Sequence, residues 1–407
     1  MITMKIAYLA KDYPPYGQSF ATMLYYPKLA SALSQLGHEV HIISQAPQSK
    51  DERTEEGVYI HWVGPAPKSG SGLTRMRYNL SAWLKLKELC KRDSIEIAEA
   101  SIFFGDAFLP SLWSPVPLVV QTFAFTDMFL KTKSYSGIME HLSFKLSALF
   151  ENTSLMRADR IIANSPQTYR YLIDEKKLPT SKINLIWESR IDLEKFKYTP
   201  SDIKTRLGIA DVSPLILYVG WLQARKGVHI LCETISDIVR QFPQATVVFL
   251  GRDTNSAPSG GSFKEYILKH ARTNNYSSNI KIIDTYIPND EMAELYSACD
   301  LFVLPSLSET FGWPVIEAMA CQRPIVTTYT GIAAEFGNRS QALALVPIGD
   351  KEALAQAIAK ILAMPKEERE TISAAHRQIV EENFSFQKMT DCLIKVYEET
   401  IEKHRKS

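Results

Sequence analysis

The chain has 407 residues, 45 % of them hydrophobic and 22 % charged, an ordinary globular mix that excludes collagen, coiled coil and bulk disorder and leaves room for two or three domains. Lys and Arg number 46 against 45 Asp and Glu, a formal net charge of +1, so the basic excess of a dedicated nucleic-acid binder is missing. Five scattered cysteines stand at no metal-ligand or redox spacing, the apolar run Ile6–Ala10 is too short for a signal peptide, and no run reaches the ~18 residues of a membrane span; the expected location is cytoplasmic.

In chain order, the first half predicts strands at 5–10, 39–45, 58–63, 95–100, 117–123, 160–165 and 183–187. Several are nearly continuous in Val, Ile, Leu and Ala, as strands covered on both faces are. Helical spacing lies between them at 18–36, 73–92, 139–157 and 165–177. The alternation then restarts, with strands at 215–221, 246–251, 280–285, 301–306 and 324–330 and helices near 227–242, 262–274, 289–298 and 314–321. Helices at 350–363, 366–383 and 386–404 complete the chain. This is an α/β pattern of two doubly wound, Rossmann-like domains, 1–192 and 193–385, with a hinge near 190–200 and a ligand-binding cleft between the carboxyl ends of their strands.

Helix 73–92 (LTRMRYNLSAWLKLKELCKR) is amphipathic and cationic, with Arg75, Arg77, Lys85, Lys87, Lys91 and Arg92 against one Glu88. Two readings stand side by side: a helix that covers the first sheet with its cations solvated, and a peripheral contact with an anionic membrane surface. Lys131, Lys133 and Lys145, set among Phe129, Tyr135 and Phe144, add to the second.

Two segments carry chemistry. In SETFGWPVIEAMA (308–320) a strand delivers a loop into a helix whose first turn holds Pro314, where a missing N–H costs nothing. The free N–H groups from Thr310 to Trp313 then face the positive end of a helix dipole, a site suited to phosphate. Glu309 and Glu317 flank it; a carboxylate beside an anion site needs a task such as holding sugar hydroxyls, the alternative being two charges that favour a helix start. In YVGWLQARKG (218–227) a strand ends at Gly220 and a short loop places Arg225 and Lys226 at the sheet's carboxyl edge. A fork and a point charge suit a diphosphate, and a solvated loop with two surface cations is the plain alternative.

Together these segments resemble the retaining glycosyltransferases of family four, which have the GT-B fold. The run SETFGWPVIEAMACQRPIVTT, with seven residues between Glu309 and Glu317, is the main match. VGWLQARKG, DRIIANS, IDLEKF (191–196), YSACDLFVLPS (296–306), the closing FSFQKMTDCLIKVYEE and the opening KIAYLAKDYPPYGQSF support it. The resemblance implies a nucleotide-sugar donor, UDP- or GDP-linked, a hydroxyl acceptor, no cofactor and no metal. It implies that Lys226, with Arg225, contacts the donor diphosphate next to Gly220. Glu309 binds the transferred sugar beside the backbone of Phe311, Gly312 and Trp313, and Glu317 holds the ribose. Tyr286 and Ile287 frame the base, Gly17 underlies the donor, and the last helix, 386–407, packs back on the first domain. A GT-B epimerase or phosphorylase and a non-catalytic donor-binding subunit are the alternatives.

The chain departs from the family pattern in several places. Gln18 follows Gly17 where a second glycine is usual, Trp221 replaces an Arg, Phe123 or Ala124 stands where a His is common, Ser189-Arg190 replaces Asn-Gly, and Gln322 replaces a Gly.

Overall fold

In the computed structural model, which describes all residues except 1–2, 17–19, 65–71, 131–136, 286, 310, 338 and 407, the apolar runs of the first half build one sheet. Its elements are β1 (Lys5–Leu9), α1 (Phe20–Gln35), β2 (Glu39–Gln45), β3 (Lys50–Arg53), β4 (Tyr59–Val63), α2 (Gly72–Arg92), β5 (Ile97–Ser101), α3 (Phe108–Trp113), β6 (Leu118–Thr122), α4 (Thr126–Leu130), α5 (Ile138–Arg157), β7 (Arg160–Ala163), α6 (Pro166–Asp174) and β8 (Ile183–Leu185). The strand order is β3-β4-β2-β1-β5-β6-β7-β8. Every pair is parallel except β3 with β4. β5 and β6 are buried at every position, as central strands of a sheet covered on both faces are, and they carry Glu99, Ser101, Gln121 and Thr122 as buried polar residues.

Strand β3 was not anticipated. Its residues, Lys-Asp-Glu-Arg, are all exposed, so no apolar alternation marks it; a charged edge strand of this kind resists pairing with other chains. The indole of Trp62 ties it to the sheet by donating to Glu52 Oε1 at 2.7 Å. The short helices α3 and α4 also fall below what helical periodicity reveals.

Two apolar clusters cover the two faces of this sheet. On one face Ile6, Tyr8, Val40 and Ile42 meet α1 through Tyr25, Tyr26, Leu29 and Leu33. On the other, Ala7, Leu9 and Ile43 meet α2, α5 and α6 through residues such as Leu86, Leu155 and Leu172. Neighbouring residues of β1 thus point to opposite faces, as the pleat requires.

The second unit contains α7 (Ile203–Arg206), β9 (Leu215–Val219), α8 (Val228–Gln241), β10 (Thr246–Leu250), α9 (Phe263–Thr273), β11 (Ile280–Ile283), α10 (Asn289–Ala298), β12 (Leu301–Leu304), α11 (Trp313–Ala320), β13 (Ile325–Thr328), α12 (Ala333–Phe336), β14 (Leu343–Val346), α13 (Lys351–Leu362) and α14 (Lys366–Asn383). Its sheet is parallel, in the order β11-β10-β9-β12-β13-β14. Strand β14 is a further element the sequence reading omits, because LALV is only four residues long. Gln322, just after α11, has φ 57°, the left-handed conformation in which helices commonly end and which favours glycine.

The final helix, α15 (Phe386–Lys406), belongs to the first unit. The chain divides into Met1–Arg190 with Phe386–Ser407, and Ile191–Ser385, two residues before the boundary read from sequence. On α15, Leu393, Val396, Tyr397 and Ile401 enter the cluster that α1 covers. Tyr397 also donates to the buried Glu99 Oε2 at 2.6 Å, and its hydroxyl lies 3.1 Å from that of Tyr8.

Candidate active site

In the second sheet the chain winds from β9 outward to β11 on one side and from β12 outward to β14 on the other. The strand order therefore reverses between β9 and β12, and the loops at the carboxyl ends of those two strands border the crevice where open α/β sheets bind ligands. Both motifs singled out in the sequence leave the sheet here.

After β9 the chain passes Gly220, makes a short turn over Ala224–Lys226 and enters α8 through Gly227. Gly227 has φ 68°, and a Cβ there would lie 1.8 Å from the carbonyl oxygen of Pro305. The glycine is thus what lets the β9 loop rest on the β12 loop. Leu307 N donates to Arg225 O at 2.8 Å, and Arg225 Nη1 donates to Ser308 O at 2.6 Å, so the two loops are joined in both directions.

That contact brings Lys226 to Glu309. The ammonium of Lys226 donates to Glu309 Oε1, Ser306 Oγ donates to the same oxygen at 2.8 Å, and Arg225 Nη1 lies 3.6 Å from Oε2. Glu309 is buried. Burial alone pushes its carboxyl up, but the opposing charges of Lys226 and then Arg225 outweigh that and hold it below the usual carboxylate range. For Lys226 the balance differs: burial lowers its ammonium below the ordinary lysine value despite Glu309. One carboxylate is thus matched by two cations, an excess of positive charge suited to an anion.

Helix α11 starts at Trp313 behind Gly312, which has φ 97°, with Pro314 in the first turn. The side chains of Phe311 and Trp313 stack at 4.7 Å and are both buried. They serve the unit's core, where Phe384 meets Phe311 at 5.9 Å, and leave the backbone of 311–313 as the part available at the helix start. Gly331 has φ 57°; a Cβ there would lie 2.3 Å from Phe311 O, so the β13 loop also presses on this segment. Glu317 sits farther along α11, and Tyr296 from α10 donates to its Oε2 at 2.7 Å.

The structure therefore gathers Lys226, Arg225 and Glu309 at one point, with Gly220, Phe311, Gly312 and Trp313 in the same loops and Glu317 on the helix that follows. Ile287 lies in the loop after β11. Tyr286 and Gly17 lie outside the described residues.

Sequence reasoning missed Ser306 and Tyr296, both inside the YSACDLFVLPS run but without a spacing signal for a partner. It also missed Arg252, which follows β10 and lies over the ring of the half-exposed Trp221 at 5.9 Å, the residue that stands where the family pattern has an arginine.

In the first unit, the loop after β6 carries Phe123 where a histidine is common. Phe123 is buried against Tyr25 at 5.1 Å and Tyr26 at 6.0 Å. Glu151 of α5 braces the same region. It accepts from Thr126 N at 2.8 Å, from the Thr126 hydroxyl and from Phe104 N at 2.7 Å.

Two family models match the chain. "Glycosyltransferase Family 4" covers residues 26–188 and "Glycosyl transferases group 1" covers residues 201–378. A D-inositol 3-phosphate glycosyltransferase of Geodermatophilus obscurus is 25 % identical over 405 residues, 95 % of this chain and 86 % of that one. A protein of the same name from Salinispora tropica is 25 % identical over 274 residues, 64 % of this chain and 55 % of that one. Among solved structures, sucrose-phosphate synthase from Thermosynechococcus elongatus superposes with a TM-score of 0.78 at 20 % identity, over 97 % of this chain and 98 % of that one. Anabaena HepE in complex with UDP and glucose gives 0.72 at 17 % identity, over 97 % and 99 %. At these identities the structural likeness establishes the fold.

Proposed function

We propose, because this chain belongs to glycosyltransferase family four and has its GT-B fold, that it moves a sugar from a UDP- or GDP-linked donor to an acceptor hydroxyl with retention of anomeric configuration. The observation that carries the reading is the ion pair of Lys226 with the buried Glu309, with Arg225 beside it, at the strand-order reversal of the second sheet. In the proposed reaction the bond between the anomeric carbon and the diphosphate breaks. The bond to the acceptor oxygen forms on the same face, and the acceptor proton passes to the departing phosphate oxygen. Lys226, Arg225 and the N–H groups before α11 stabilise the charge that develops on the leaving group. Glu309 holds sugar hydroxyls and Glu317, aligned by Tyr296, holds the ribose. The scheme needs no protein nucleophile, metal or cofactor.

A diphosphate entering this site competes with Glu309 for Lys226. Donor binding then frees the Glu309 carboxylate for the sugar, which couples the two tasks. A second reading, a subunit that binds the donor without transferring it, is favoured by Phe123 and Trp221 in place of a histidine and an arginine. Both readings accommodate peripheral contact with an anionic membrane surface through residues 73–92; among the described residues no helix is long and apolar enough to cross a membrane.

A panel of nucleotide sugars crossed with acceptor hydroxyl compounds, read as nucleoside diphosphate release with and without a metal chelator, tests the proposal. Acceptor-dependent release that survives chelation is expected. Binding of a nucleoside diphosphate without release would move the assignment to the second reading, and release only with added divalent metal would overturn the metal-free scheme.

A further inference from the structure

Helix α5 has its polarity reversed. The side turned to the sheet carries Ser147, Glu151 and Ser154, all buried, beside Ala148 and Leu155. The side turned to solvent carries Ile138, Met139, Leu142, Leu146, Leu149 and Met156, which are 41–85 % exposed. At 100° per residue these six fall within about a third of the helix circumference, a stripe that runs unbroken from Ile138 to Leu149 and resumes at Met156 after Asn152 and Thr153. Scattered exposed apolar residues are ordinary; a stripe of six on one helix marks an interaction surface.

The neighbouring elements continue the face. α2, α3 and α5 pack side by side over the same side of the sheet. Phe108 of α3 stacks on Phe150 of α5 at 4.0 Å. Trp83 of α2 donates through its indole to Trp113 O at 2.9 Å. Trp113 itself, Leu80 and Leu84 are exposed large apolar groups, and Lys87 Nζ lies 4.5 Å from the Trp83 ring. Arg77, Lys87 and Lys91 are exposed on the outer side of α2 and Lys145 on that of α5. The acid among them, Glu88, is already paired with Lys85 at 3.1 Å and Arg92 at 3.3 Å.

We propose that the outer faces of α5 and α2 lie on an anionic lipid surface, with the α5 stripe seated among the upper acyl chains and the α2 cations among the headgroups. Charge decides the occupant. A second copy docked through this face would set cation against cation, whereas an anionic bilayer offers both an apolar layer for α5 and negative charge for α2, with tryptophan and lysine at the boundary between them. The inference deepens the peripheral contact proposed for residues 73–92 and assigns its apolar part to a different helix.

Co-sedimentation with vesicles tests the two parts separately, using phosphatidylcholine alone and phosphatidylcholine with phosphatidylglycerol. The full chain is compared with Leu142→Ser/Leu146→Ser/Leu149→Ser and with Arg77→Gln/Lys87→Gln/Lys91→Gln. All six positions are exposed, so thermal unfolding and nucleoside diphosphate binding stay at parental values in both variants. The parent is expected to bind the anionic vesicles, the leucine variant to lose about tenfold or more in partitioning, and the cation variant to lose its preference for anionic lipid. A leucine variant that binds as the parent does overturns the role of α5 even if the cations matter. A cation variant that keeps the anionic preference overturns the contribution of 73–92 while α5 stands. A parent that stays in the supernatant, with sedimentation equilibrium showing a dimer that the leucine variant dissociates, assigns the face to a second copy and overturns the proposal.

Discussion

At the residue scale the account rests on three side chains with separate tasks. Lys226→Ala removes the point charge on the diphosphate and leaves Glu309 buried without its main partner. A charge-assisted contact contributes about 1.5–3 kcal/mol, so titration calorimetry should show nucleoside diphosphate binding weakened roughly 10- to 100-fold, with nucleoside binding nearly unchanged. Glu309→Gln releases Lys226 from its ion pair, so nucleoside diphosphate affinity should hold or rise. Turnover should fall roughly 100-fold, because hydrogen bonds to the sugar strengthen as positive charge develops at the anomeric carbon. Tyr296→Phe keeps the packing of α10 and removes the donor to Glu317; the donor KM should rise several-fold with kcat unchanged, and an unchanged KM would sever Tyr296 from the site. Lys226, Arg225, Glu309 and Glu317 were legible because cations at a strand end and paired glutamates around a helix start are local patterns. Tyr296 and Arg252 were not, since each meets its partner only across elements that the fold brings together; Ser306 lies three residues before Glu309 in the same loop, but a lone serine carries no pattern to detect.

At the element scale, continuous apolar strands and long helices were legible, and what escaped was short or polar. β3 is four charged residues, β14 is four residues after a turn, and neither carries a period to detect. The outer face of α5 escaped for another reason: its leucines give a clean helical stripe, which sequence logic turns inward. Two elements give direct tests. Gln322 ends α11 in a left-handed conformation that costs a non-glycine residue roughly 1–2 kcal/mol, so Gln322→Gly should raise thermal stability, and a drop would show that the side chain contributes more than the strain removes. Glu99 in β5 is buried, and burial pushes its carboxyl up to about 7 against the hydrogen bond from Tyr397. The folded chain therefore keeps a proton there that the unfolded chain releases near 4.5. The stabilisation is complete below about pH 4.5 and lost as pH rises through 7. Glu99→Gln should reduce the pH dependence of unfolding between those limits and leave the share of Glu151, whose carboxyl burial pushes up to about 8; a parental slope in the variant would exclude Glu99 as a contributor.

At the scale of the whole molecule, the chain leaves its first unit at Arg190, builds the second, and returns through α15. Burying Leu393, Val396, Tyr397 and Ile401 contributes about 1.5–3 kcal/mol each, together comparable with the entire stability of a domain, about 5–15 kcal/mol. A chain ending at Ser385 should lose hydrogen-exchange protection in β1, β2 and β5 and keep it in β9 and β12. Unchanged protection in the first sheet would mean that α15 only decorates it. The central claim, retaining transfer from a nucleotide sugar, is tested most directly by ¹H NMR of the anomeric proton while the full chain turns over an α-linked donor with a hydroxyl acceptor. The account predicts release of nucleoside diphosphate and a new linkage of α configuration, both slowed together by roughly 100-fold in Glu309→Gln. A β linkage, or no release from any UDP- or GDP-linked donor despite binding, would contradict it.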